Sequence, residues 1–182
     1  MPDPVQPTAD TATLPPLTLV LGGARSGKSR FAEAMITATG QQAIYLATAE
    51  ARDAEMTARI AHHRAERGAG WITIEEPLDI VLRLGTETRG PVLIDCLTLW
   101  LSNLMGADRD VPREADRLMT ALPRIGVPVV LVANEVGLGI VPDNALARRF
   151  RDEAGRLNQR IAAIASRVVF LAAGVPMTLK GG

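Results

Sequence analysis

Cysteine is nearly absent from this sequence: Cys96 is the only one in 182 residues. No disulfide can form within the chain, and a lone thiol fits a reducing compartment, so a cytoplasmic location is expected. Net charge is absent too. Lys+Arg and Asp+Glu each number 20, which leaves no electrostatic case for nucleic acid or an anionic membrane as the main partner. No apolar run reaches the roughly 18 residues of a membrane span. The opening stretch MPDPVQPTADTATLPP lacks the basic start and apolar segment of a signal peptide. Its Pro, Thr, Asp and Ala content predicts a flexible tail over residues 1–16, ahead of one domain over residues 17–182. Histidine is the last scarcity. The chain has two, His62 and His63, side by side in ARIAHHRAERG. Neighbouring helical residues point about 100° apart. Zinc ligands sharing a helix face sit at i, i+4 instead, so the pair does not read as a metal site.

What the chain does have is alternation. Hydrophobic residues make up 47%, and they fall into short apolar runs separated by longer helical patterns. Strands are predicted at Leu17–Leu21, Ala43–Ala47, Trp71–Glu75, Val92–Asp95, Pro128–Ala133 and Arg167–Ala172. Most are apolar on both faces, as in a parallel sheet covered by helices on each side. Helices are predicted at Lys28–Thr39, Asp53–Arg67, Leu78–Leu84, Leu97–Met105, Arg113–Leu122 and Ala145–Ser166. In the last, Leu146, Phe150, Leu157, Ile161 and Ile164 recur at helical spacing. The fold class that follows is α/β: a single P-loop NTPase domain, RecA-like, with a mostly parallel central sheet flanked by helices.

The P-loop assignment rests on LTLVLGGARSGKSRFAEAMI. Gly22, Gly23, Ala24, Arg25, Ser26, Gly27, Lys28 and Ser29 match G-x-x-x-x-G-K-[ST] between a predicted strand and a predicted helix. That context separates the motif from a chance glycine-rich turn. Glycines let backbone N–H groups curl around phosphate oxygens, and the helix N-terminus adds its positive end. Lys28 is placed to meet the β- and γ-phosphates, and Ser29 to ligate Mg²⁺. Asp95, closing the apolar strand PVLID, is the candidate carboxylate beside the metal; it is also placed to cap the helix after it. Cys96 reads as a small core residue rather than a nucleophile.

Other strand ends should line the same edge, because ligands of open α/β sheets sit outside the carboxyl ends of the strands. These ends are Thr48 with Ala49, Glu75 with Glu76, and Asn134 with Glu135. Polar residues are common there, so each alone is weak. The stretch NEVGLGIVPDN is more telling, since it combines two acceptor-bearing side chains, two glycines and an apolar stretch between a strand and a long helix. It reads as a shaped loop over a ligand. Arg148, Arg149 and Arg151 follow at the start of that helix. They work against the helix dipole, and either answer a nearby anion or form a solvated face. The histidines are open in the same way: a polar helix face, or one imidazole acting as a covalent nucleophile toward phosphorus.

The segments GGARSGKSRFAEAMI, YLATAEARDAEMTARIAHHRAERG, LIDCLTLWLSNL and LVANEVGLGIVPDNALARRFRDEAGRLNQRIA resemble the bifunctional adenosylcobinamide kinase / adenosylcobinamide-phosphate guanylyltransferase family of cobalamin biosynthesis. The resemblance runs from Leu17 to Lys180. It implies phosphorylation of the aminopropanol hydroxyl of adenosylcobinamide by ATP or GTP. It further implies transfer of GMP from GTP to adenosylcobinamide phosphate, through a GMP-histidine on His62, giving adenosylcobinamide-GDP and pyrophosphate. Nucleotide contacts are implied at the phosphate loop, at Ala47, Thr48 and Ala49, at His63, Arg64, Ala65 and Glu66, at Glu75 and at Asp95. A homotrimer is implied as well. Two other readings compete: a kinase acting on another small alcohol, and a nucleotide-dependent switch without transfer chemistry. The His pair argues against the first, and the NEVGLGIVPDN loop against the second.

Overall fold

A computed structural model describes residues 14–50, 68, 70–86 and 89–182. The predicted helix Asp53–Arg67, with His62, His63, Arg64, Ala65 and Glu66, lies outside the described residues, as do residues 1–13 of the predicted tail.

The chain runs β1 (Leu17–Gly22), α1 (Lys28–Thr37), β2 (Ala43–Ala47), β3 (Trp71–Glu75), α2 (Ile80–Thr86), β4 (Val92–Asp95), α3 (Leu97–Gly106), α4 (Val111–Ala121), a 3-10 turn (Leu122–Arg124), β5 (Val129–Asn134), α5 (Ala145–Ile164), β6 (Arg167–Ala172) and β7 (Val175–Lys180). The strands form one sheet in the order β3-β2-β4-β5-β1-β6-β7. Every pairing is parallel except β6 with β7. The six predicted strands are all present.

The doubly apolar strands follow from burial on both faces. Leu19, Leu46, Ile94 and Leu131 point to one side and pack with Trp100, Leu104, Leu118 and Ile161 from α3, α4 and α5. Val20, Tyr45, Leu93 and Val132 point to the other and pack with Phe31, Met35 and Ile36 of α1. Because side chains alternate along a strand, Asp95 falls on the α1 side with Leu93. Among the described helices α3 is the most deeply buried, with Leu97, Trp100, Leu101 and Leu104 almost wholly enclosed. That explains why its sequence, LTLWLSNLMG, is apolar nearly all round.

Some boundaries moved for local reasons. α2 starts at Ile80 rather than Leu78. Glu76 Oε1 accepts from the amides of Leu78 at 3.1 Å and Asp79 at 2.9 Å, which holds those residues in a cap instead. α4 starts at Val111 rather than Arg113, because Asp110 is its N-cap and accepts from the Arg113 amide.

β7 has no counterpart among the predicted strands. It is joined to β6 by the two-residue turn Ala173–Gly174, with φ of 51° and 80°. Two successive left-handed residues are what a type I′ hairpin needs. Pro176 argues against a strand in sequence, but an edge position tolerates it because no neighbour needs its missing N–H.

Candidate functional site

β1 delivers the chain to the phosphate loop with no room for side chains at its first residue. A Cβ on Gly22 would lie 2.5 Å from Ser26 Oγ and 2.7 Å from the Leu171 carbonyl oxygen. Gly27 has φ 91° and forms the N-cap of α1 without a side-chain hydrogen bond to the helix. The first-turn amides of α1 therefore face the loop rather than a capping group, which is the arrangement that receives an anion. Lys28 is buried, and its Nζ donates to the Gly23 carbonyl at 3.0 Å, so the ammonium is held at the loop. The β6–β7 turn braces the loop from outside: the Gly174 amide donates to the Ser26 carbonyl at 3.0 Å. This support comes from the hairpin that sequence reading overlooked.

Asp95 meets the loop from β4. Ser29 Oγ donates to its Oδ1 at 3.3 Å, and the buried Tyr45 hydroxyl donates to its Oδ2. A hydroxyl and a carboxylate are hard oxygen donors. They match the small share of its shell that Mg²⁺ takes from protein when phosphates and waters supply the rest. Among the described residues, no group of three or more His, Cys, Asp or Glu side chains forms a metal cage. Cys96, next in the chain, is buried. Burial first, and the Asp95 charge second, push its thiol up from the usual range. A protonated, enclosed thiol is a poor nucleophile.

The register shows which residues share this edge. Ala47 of β2 stands opposite both Glu75 of β3 and Asp95 of β4, and Asp95 stands opposite Val132 of β5. Thr48 is fully buried and acts as a clamp between strands. Its hydroxyl donates to the Cys96 carbonyl at 2.7 Å and accepts from the Cys96 amide at 2.8 Å. Its own carbonyl accepts from Asn103 Nδ2 at 2.7 Å. Glu76, the neighbour of Glu75, is spent on capping α2 and on Arg83 at 3.3 Å.

The loop after β5 is tied at both ends. At its root, the Glu135 amide donates to the Gly22 carbonyl at 3.0 Å, and the Glu135 carboxylate accepts from the Gly137 amide. At its far end, Arg148 Nη1 donates to the carbonyls of Pro142 at 2.9 Å and Asp143 at 2.7 Å. Asn144 caps α5 by accepting from the Ala147 amide at 2.7 Å. Arg148 is thus a loop anchor, and Arg151 pairs with Asp152 at 2.8 Å. Arg149 is exposed.

Three framework residues were not singled out from the sequence. Tyr45, the only tyrosine, looked like one more apolar residue of AIYLA. Asn103 and Asn158 carried a usable signal, being amides on otherwise apolar helix faces. Both are buried and hold the site's backbone, Asn103 at Thr48 and Asn158 at the Asn134 carbonyl.

The phosphate loop, a carboxylate reaching it from β4 and a tethered loop after β5 are the parts of a nucleotide-dependent transferase. The family model for cobinamide kinase / cobinamide phosphate guanyltransferase matches residues 18–179. The chain belongs to this family. Its members carry two activities, a cobinamide kinase and a cobinamide phosphate guanylyltransferase. It is 49% identical over 167 residues to the bifunctional adenosylcobalamin biosynthesis protein CobP of Pseudomonas aeruginosa, covering 90% of this chain and 96% of that protein. It is 42% identical over 181 residues to the bifunctional adenosylcobalamin biosynthesis protein CobU of Escherichia coli, covering 90% and 99%. Solved structures add the fold. The ATPase domain of G40P matches with a TM-score of 0.50 at 15% identity over 87% of this chain and 70% of that one. A KaiC-like protein from Pyrococcus horikoshii matches with the same score and identity over 87% and 72%.

Proposed function

We propose that this member of the family performs both of its reactions from one nucleotide site, the second through a covalent intermediate on His62. In the first reaction the aminopropanol hydroxyl of adenosylcobinamide attacks the γ-phosphorus of ATP or GTP and gives up its proton to solvent, while the bond to the β–γ bridging oxygen breaks and the nucleoside diphosphate leaves with the electron pair. The phosphate-loop amides and Lys28 bear the charge on the β- and γ-phosphates. Mg²⁺ would be held by Ser29 and Asp95, and when bound it neutralises charge on the phosphates. In the second reaction a ring nitrogen of His62 attacks the α-phosphorus of GTP. The bond to the bridging oxygen breaks, and pyrophosphate leaves with the electron pair. A phosphate oxygen of adenosylcobinamide phosphate then attacks the same phosphorus. The P–N bond breaks and the imidazole is restored, releasing adenosylcobinamide-GDP.

The observation that carries this reading is the Ser29–Asp95 contact, which joins the phosphate loop to β4 in a chain matching the family over residues 18–179. Lys28 completes that centre. Gly22, Gly23, Ala24, Arg25, Ser26 and Gly27 supply backbone, and Ala47, Ala49 and Glu75 flank the nucleotide, with Thr48 shaping their strand end. His63, Arg64, Ala65 and Glu66 are proposed as nucleotide contacts on the strength of the family resemblance, as is a homotrimer. The proposed location is the cytoplasm; among the described residues no helix is long and apolar enough to cross a membrane. The test is incubation with α-labelled GTP, followed by mass analysis of the protein. GMP should appear on His62 in an acid-labile linkage, and adenosylcobinamide phosphate should discharge it. A protein that makes adenosylcobinamide-GDP without ever carrying GMP would refute the covalent route.

A further inference from the structure

Leu138, Ile140 and Val141, in the loop between β5 and α5, are 82%, 98% and 63% exposed, and Leu146 in the first turn of α5 is 67% exposed. Three large aliphatics within four positions, all facing water, form a patch of the kind that marks a binding surface. The patch is held in shape. Its root is tied to the phosphate loop through Glu135 and Gly22, and its far end to α5 through Arg148. Leu138 follows Glu135 by three residues, a reach of at most about 11 Å, so the patch starts beside the phosphate site.

We infer that the β5–α5 loop is the platform for the corrinoid substrate. This rests on the proposed function. The methyl-bearing face of the corrin macrocycle packs on Leu138, Ile140 and Val141. Its aminopropanol arm reaches past Glu135 toward the nucleotide. The chemistry matches: a broad apolar face on a ring that carries a polar arm, and an apolar patch continuous with the phosphate loop. A second copy of this chain could also cover aliphatics. The tie to Gly22 favours the substrate, because it makes the patch continuous with the phosphate loop, where the acceptor hydroxyl must arrive.

The test uses the full chain with Leu138→Ser and with the double change Ile140→Ser, Val141→Ser. These side chains are solvent-exposed, so the variants should fold, and unchanged urea unfolding checks this. KM for adenosylcobinamide should rise about tenfold or more, the scale on which an apolar site responds to lost methylenes. KM for ATP, and GMP labelling from α-labelled GTP without corrinoid, should stay as in the unaltered chain. An unchanged KM for adenosylcobinamide in both variants overturns the inference. So does loss of the native oligomer together with loss of GMP labelling, which would make the loop a contact between copies. If the unaltered chain phosphorylates no corrinoid while still labelling with GMP, the kinase reading fails and this inference with it.

Discussion

Asp95→Asn is the sharpest probe of the site. Each carboxylate oxygen of Asp95 accepts one hydroxyl, from Ser29 on the phosphate loop and from Tyr45 on β2. Asparagine offers one acceptor oxygen and one NH₂ donor, so both hydroxyls cannot keep their roles. Tyr45 is only 3% exposed and has little access to water. The amide oxygen should therefore turn to Tyr45, leaving nitrogen toward Ser29, whose hydroxyl must rotate to accept. The fold loses at most one good hydrogen bond, about 1–2 kcal/mol. The chemistry loses the negative charge beside the phosphate loop. Removing one preorganised electrostatic element typically lowers turnover about 100- to 1,000-fold, or about 2.7–4 kcal/mol. The catalytic loss should thus outrun the stability loss. The assay is initial-rate phosphorylation of adenosylcobinamide across a magnesium series, with urea unfolding alongside. Turnover should fall by that factor, and the magnesium midpoint should rise. Tyr45→Phe is the control: it keeps the charge and costs about 1 kcal/mol of stability, with a much smaller effect on turnover. If Asp95→Asn keeps both turnover and magnesium midpoint, the carboxylate only supports the strand end, and the reasoning fails.

Lys28→Ala should lower turnover with ATP by about 100-fold or more, because it removes the ammonium held at the loop beside the Gly23 carbonyl; wild-type phosphorylation of adenosylcobinamide by this variant would refute the phosphate-loop assignment. His62→Ala should abolish GMP labelling while the kinase survives, since phosphoryl transfer to the hydroxyl needs no enzyme-bound intermediate. His63→Ala should still label; labelling lost only in His63→Ala would exchange the two roles. In the wild type, labelling should fade as acid protonates the imidazole, because the protonated ring has no lone pair to attack with. Thr48→Val should leave the buried Cys96 amide unpaired and cost about 1–3 kcal/mol. Thermal unfolding should read this as roughly 2–4 °C for each kcal/mol. A stable Thr48→Val with a raised KM for ATP would instead make the hydroxyl a nucleotide contact.

Much of the architecture was legible because it is written in local pattern. Runs such as LTLVL and VVLVA can bury both faces only in the middle of a parallel sheet, and G-x-x-x-x-G-K-S has its meaning through close approach at Gly22 and backbone freedom at Gly27, which the residue types alone specify. Asp95 could be singled out because it closes an apolar strand, and NEVGLGIVPDN because a loop that mixes acceptors with aliphatics has no use as a plain turn. Other features depended on neighbours far away in sequence. β7 became visible only through pairing with β6, since the edge of the sheet is what makes Pro176 acceptable. Its turn then proved to brace Ser26, 148 positions earlier. Tyr45 and Asp95 are separated by 50 residues and Thr48 and Cys96 by 48, and the β2–β4 pairing alone brings each of these pairs together. Local propensity carries no information about such partners. A tyrosine in AIYLA and a threonine at its end look like ordinary strand residues until the strand beside them is known. The sequence thus determined that this chain folds around a phosphate loop, because periodicity and glycine placement act over a few residues. Only the tertiary structure decided which side chains meet at the phosphate loop and which hold the frame, because that depends on register between strands.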